Sequence, residues 1–208
     1  VLLNTLPASI VRELERHDRV TARQFEDASF LFADLVGFTR HSQRMAPAEV
    51  VALLNIIFSI FDELVQAHGL EKIRTLGDGY FVAGGLPEPR ADHLEAIAEL
   101  ALNMQRQVAA FRWPSGEPVQ LRIGIHCGGP VVASVIGTRK FAYDIWGEAV
   151  NLASRMESSA VAGRVQVSND VQQRLVHAFQ FERRGWITLK CGLDAETHWL
   201  IKRKVTGV

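Results

Sequence analysis

An α+β fold is predicted for this 208-residue chain, and three observations carry that prediction. Short apolar runs of strand length and long helical stretches are interspersed, with no regular βαβ repeat. The densest apolar stretch, residues 50–65, is interrupted by Asn55, Ser59, Asp62 and Glu63, as in a helix with one wet face. An apolar content of 48% allows one compact domain of this length to bury its core without disulfides or structural metal.

The elements follow in chain order. Residues 1–26 read as an N-terminal coupling segment, in which Leu3, Leu6, Ile10 and Leu14 recur at helical steps and Pro7 suits a first turn. Such a helix either packs on its own domain or leads in from an upstream module. Residues 27–208 read as the single domain proper. DASFLFADL (27–35) is a buried strand. Pro47 starts a long helix that ends near Gly69. Residues 70–76 and 80–83 are strands around the Gly77-Asp78-Gly79 turn. A second long helix spans 92–111, and WPSGEP (113–118) is a loop. Strands over 119–126 and 131–136 flank a Gly-Gly-Pro turn, 146–158 is helical, and short strands with a helix over 170–178 complete the chain.

Bulk properties exclude several classes of function. Basic and acidic side chains balance at 23 each, so no net field draws the chain to nucleic acid or an acidic membrane. No apolar run approaches the roughly 20 residues that span a bilayer, and no signal peptide opens the sequence. The first residues, VLLNTLPASIVRELERH, lack an initiating Met, which reads as a piece of a longer protein. Cys127 and Cys191 show no metal-ligand spacing and are expected as free thiols in a reducing compartment.

Two carboxylates hold the most chemical information. Asp34 stands where the strand FLFADL runs into Val36-Gly37-Phe38-Thr39, and Asp78 stands in a Gly-Asp-Gly turn. Carboxylates at neighbouring strand ends suit hard cations such as Mg²⁺. The N–H groups of the segment after Asp34 can receive phosphate oxygens. Taken alone, Asp78 is equally well explained as turn chemistry. Asp34 is harder to explain so, because a carboxylate in an apolar run is costly unless paired.

At these residues the sequence resembles a known family. FADLVGFT (32–39) and KIRTLGDGYFVAGG (72–85) are similar to the two metal-binding segments of class III adenylate and guanylate cyclases. The likeness continues through LRIGIHCGGPVVASVIG (121–137), YDIWGEAVNLASRM (143–156) and RGWITLKCG (184–192). It implies a ferredoxin-like, palm-like domain that pairs head to tail with a second copy.

The resemblance also implies roles. Asp34 and Asp78 would bridge two Mg²⁺ or Mn²⁺ ions, with the Leu35 carbonyl as a further ligand. Gly37, Phe38, Thr39, Arg122 and Lys190 would meet the phosphates. Asn151 would orient the ribose, and Arg155 would stabilise charge developing at the α-phosphate. These two lie four residues apart, hence on one helix face. Arg74 and Asp144 would read the base, and here the sequence departs from the pattern: adenylate cyclases usually have Lys at position 74 and guanylate cyclases Glu. An Arg donor with an Asp acceptor suits adenine, although the several donors of Arg leave guanine open. The resemblance thus implies an ATP-using homodimer, the output domain of a larger protein with an upstream sensor; the alternatives are a GTP-using enzyme or a catalytically weak, nucleotide-binding regulatory half of a heterodimer. The metal aspartates would come from one subunit; the base pair, Asn151, Arg155 and Lys190 would come from the other. Its expected location is cytoplasmic, either free or as the cytoplasmic part of a membrane-bound protein.

Overall fold

In the computed structural model, residues 6–17, 19–137, 140–190 and 192–205 are described. Most of the chain builds one seven-stranded sheet. Within it, β2 (Ala28–Leu35) pairs antiparallel with β4 (Gly79–Gly84) on one side and β5 (Leu121–Gly128) on the other. Beyond β4 lies the edge strand β3 (Glu71–Leu76); beyond β5 lie β8 (Val165–Ser168), β10 (Asp194–Arg203) and β9 (Phe179–Thr188). The β5–β8 pair is parallel, and the other pairs in this sheet are antiparallel. A second sheet joins β1 (Arg23–Phe25), β6 (Val131–Ile136) and β7 (Ala142–Trp146).

Strand alternation gives β2 two working faces. Leu31, Ala33 and Leu35 point into a core shared with Ile57, Phe61, Leu94, Ile97 and Met104. Those partners belong to the long helices α3 (Pro47–Ala67) and α4 (His93–Val108). Ala28, Phe30 and Phe32 point the other way, into a smaller cluster with Phe81, Tyr143, Ile145, Val150 and Ala153. The helix covering this second face is α5 (Glu148–Ser158). Asp34 shares the parity of Phe30 and Phe32, so it emerges on the α5 side at the strand's end.

The lead-in helix α1 (Ala8–His17) packs on its own domain, with Leu6, Ile10 and Val11 buried in the α5-side cluster. Leu14 is partly buried there, and Leu3 lies outside the described residues. Two sequence expectations are corrected. Trp146, expected to start a helix, instead ends the strand β7: Tyr143 and Ile145 are buried while Ala142 and Trp146 are exposed, and α5 begins only after Gly147. The final two strands are long, ten residues each, because they form one extended hairpin. Smaller shifts place a strand at Leu121–Gly128 and the last helix, α6, at Asn169–Leu175. Among the described residues, no helix is long and apolar enough to cross a membrane.

Candidate active site

The sheet brings the two aspartates together. Asp34 is the register partner of Gly79 on β4, so the turn residue Asp78 arrives beside it. On its other side Asp34 faces Arg122 of β5 directly, and Arg122 Nη2 donates to Asp34 Oδ2 at 2.8 Å. Burial raises the pKa of Asp34 well above the usual carboxylate range, and the Asp78 carboxyl pushes it further. Glu157 adds to that rise and Arg122 opposes it. Two carboxylates forced together in a half-buried corner can share a proton or hold a cation. Among the described residues, no cluster of three or more His, Cys, Asp or Glu side chains could ligate a metal. A two-carboxylate corner nonetheless fits Mg²⁺, which keeps several waters and completes its shell with substrate phosphates.

Immediately after β2 the chain turns through Gly37, whose φ of 74° is in the left-handed region, into the short helix α2 (Phe38–Ser42). Among the described residues, no backbone hydrogen bond uses the N–H groups of Gly37, Phe38 or Thr39. Five residues cannot sustain a helix unaided, and here side chains tie it down. His41 stacks on Trp113, Phe38 packs at the same ring, and Arg40 pairs with Glu117 at 2.7 Å.

On the sheet's α5 side, Arg122 and Gly124 are two residues apart on β5 and share a face. A Cβ on Gly124 would lie only 1.9 Å from the Glu157 nitrogen, so glycine is what lets the last turn of α5 rest on the strand. Glu157 thereby meets Arg122, with Nε donating to Oε1 at 2.5 Å. Asn151 and Arg155 lie on the far side of α5 from its buried face of Ala149, Val150, Ala153 and Met156. Their side chains make no hydrogen bond among the described residues, and the chain does not bring them onto its own aspartates. Lys190, in the turn between β9 and β10, is close enough to lower the Glu157 carboxyl, which burial raises.

Arg74 and Asp144 come from different sheets, yet they form an ion pair. Arg74 also lies over the Phe81 ring, its guanidinium carbon 5.6 Å from the centroid. Asp144 Oδ1 accepts the Ile145 N–H at 2.8 Å, which fixes the carboxylate plane. The sequence pass missed Glu157, His41, Trp113 and the close approach at Gly124. For Gly124 a signal existed: a glycine inside an apolar strand marks a tight approach.

The chain is similar to known proteins. The family described as adenylate and guanylate cyclase catalytic domain matches residues 20–202. An adenylate cyclase of Mycobacterium tuberculosis is 48% identical over 208 residues, all of this chain and 47% of that protein. The chain thus spans about half the length of that curated relative. The rat guanylate cyclase soluble subunit beta-2 is 37% identical over 204 residues, 97% of this chain and 30% of that protein. Among solved structures, the guanylate cyclase domain of RhGC from Catenaria anguillulae, in complex with GTP, superposes with a TM-score of 0.83. It is 30% identical and covers 88% of this chain and 100% of its own. With the paired aspartates on adjoining strands and the matching fold, the chain belongs to the adenylate and guanylate cyclase catalytic domain family.

Proposed function

We propose that this chain is the catalytic domain of an adenylate cyclase, converting ATP to 3′,5′-cyclic AMP and pyrophosphate in a site shared by two copies. One observation carries the choice of base: Arg74 and Asp144, far apart in sequence, are assembled into a single donor–acceptor unit. Adenine presents an acceptor at N1 and a donor at its 6-amino group, which Arg74 and Asp144 can respectively meet. The 48% identity to a mycobacterial adenylate cyclase supports the same base. A guanylate cyclase is the competing reading, favoured by the fold's likeness to a GTP-bound domain and by the spare donors of Arg74.

In this reading Asp34 and Asp78 would hold two Mg²⁺ or Mn²⁺ ions, which would acidify the ribose 3′-hydroxyl and neutralise the triphosphate. The free N–H groups of Gly37, Phe38 and Thr39 receive phosphate oxygens. Arg122 and Lys190 add positive charge near the leaving pyrophosphate. Asn151 and Arg155, directed away from their own aspartates, serve the partner's: Asn151 positions the ribose, and Arg155 meets charge developing at the α-phosphorus. The 3′-oxygen bonds to the α-phosphorus as the bond to pyrophosphate breaks. Residues 1–26 act as the coupling segment and 27–208 as the catalytic domain, within a larger cytoplasmic or membrane-attached protein that carries a sensor.

Purified protein should be incubated with Mn²⁺ or Mg²⁺ and each triphosphate, and the products separated. Cyclic AMP in excess over cyclic GMP is expected. A preference for GTP overturns the base assignment, and no cyclic product from either overturns the enzyme reading.

A further inference from the structure

Glu157 is the one acidic side chain in the last turn of α5, and its side chain is only 13% exposed. It is not a neighbour of the aspartates in sequence; the Gly124 contact delivers it. Arg122 divides its donors between two carboxylates: Nε goes to Glu157 Oε1 at 2.5 Å, and Nη2 goes to Asp34 Oδ2 at 2.8 Å. That division matters. With Nε committed to Glu157, the side-on fork of Nε and Nη2 is not available to Asp34, which is met by Nη2 through one oxygen. An Arg122 released from Glu157 could turn that fork onto both Asp34 oxygens, a bidentate arrangement Arg favours with carboxylates. A bidentate Arg122 would occupy the place that a cation needs.

From this geometry we propose that Glu157 is a positioning residue for the cation half-site. It restrains Arg122 to a single contact with Asp34 and leaves the other Asp34 oxygen open to a divalent cation. The proposal rests on the reading that Asp34 and Asp78 bind cations. It adds that α5 supports its own chain's cation corner with one face while presenting Asn151 and Arg155 on the other.

The test is Mn²⁺ binding to the intact protein, followed by electron paramagnetic resonance of the free ion. Wild type is compared with Glu157→Ala, Glu157→Gln and Glu157→Asp, with Asp34→Ala as reference. Circular dichroism and melting curves confirm folding. Loss of a group that orients a metal ligand is expected to weaken Mn²⁺ binding in Glu157→Ala about tenfold or more. Glu157→Gln should recover part of that loss, because its amide oxygen still accepts from Nε. In turnover, the half-saturating Mn²⁺ concentration should rise in the same order, with kcat at saturating Mn²⁺ reduced far less. Glu157→Asp keeps the charge but is one methylene short, so positioning requires weaker binding there too. Wild-type affinity in a folded Ala variant, or in a folded Asp variant if Ala does not fold, overturns the proposal. So does an effect on kcat alone. If wild type binds Mn²⁺ at Asp34 but forms no cyclic nucleotide, the cyclase reading fails while the binding series still decides the role of Glu157.

Discussion

The imidazole of His41 stacks on the indole of Trp113, with ring centroids 4.4 Å apart and planes within 3° of parallel. This contact holds α2 against the 111–118 loop, and Trp113 is 2% exposed. Trp113→Ala removes the surface on which α2 rests and leaves a cavity. It should cost about 3–5 kcal/mol of stability, seen in chemical denaturation. Because the segment 37–39 is then loosened, KM for the triphosphate should rise more than kcat falls. A KM unchanged in folded protein would show that α2 does not serve the phosphates.

Burial raises the Asp34 pKa and the Asp78 carboxyl raises it further, so the two carboxyls resist ionising together in the cation-free chain. Asp78→Asn should lower kcat/KM by more than about 100-fold, as expected for loss of a charge-organising group. It should also stabilise the cation-free fold by about 1 kcal/mol. Thermal melts in a chelator, with and without the substitution, measure the second effect. Destabilisation would show that Asp78 holds the turn rather than a cation.

Since Asn151 and Arg155 point away from the aspartates of their own chain, mixed dimers should complement. An Asp34→Ala subunit combined with an Asn151→Ala subunit leaves one lesion-free site of two, hence up to about half of wild-type activity. Isolated heterodimers as inactive as either parent would refute a site shared in this way.

Arg74→Lys should preserve the preference for ATP, because one donor still faces the base. Arg74→Glu sets an acceptor against an acceptor and places a second carboxylate beside Asp144. Losing a charge-assisted hydrogen bond of about 1.5–3 kcal/mol should cost roughly 10- to 150-fold in kcat/KM for ATP. An unchanged ATP/GTP ratio in both variants would make Arg74 a bystander.

Glu71, at the start of β3, makes no ion pair among the described residues, and burial pushes it up to about 7 from its ordinary 4.5. A carboxyl with a raised folded-state pKa favours folding fully only below its unfolded pKa. That contribution is lost as pH rises through the folded value, so stability should fall between about pH 4.5 and 7. Glu71→Gln should flatten this slope and stabilise the protein at pH 8 by about 1–2 kcal/mol. Denaturation midpoints from pH 4 to 8 would reveal it, and parallel curves would exclude Glu71 as the cause.

The strand that ends at Asp34 and the hairpin that turns at Asp78 were legible because their apolar runs are bounded by turn residues, a local signal. The meeting of Arg74 with Asp144 was expected only from likeness to a family, since nothing local joins β3 to β7, and the pairing of Asp34 with Arg122 was not expected. Glu157 was not expected because its contact with Arg122, 35 positions away, depends on a helix settling on Gly124. The strand at 142–146 escaped because five residues alternate too briefly to outweigh the helical pattern that follows.

Arg74 and Asp144 neutralise one another, so the proposed base pocket presents direction without net charge. Discrimination between purines there depends on which atoms donate and which accept. In the proposed site the opposite end of the substrate would face Asp34, Asp78, Arg122 and Glu157, where carboxylates attract cations and the guanidinium attracts phosphates. Added salt shortens the range of such attraction to about 8 Å at physiological ionic strength. Rising ionic strength should therefore weaken nucleotide affinity while leaving the ratio of ATP to GTP use almost untouched.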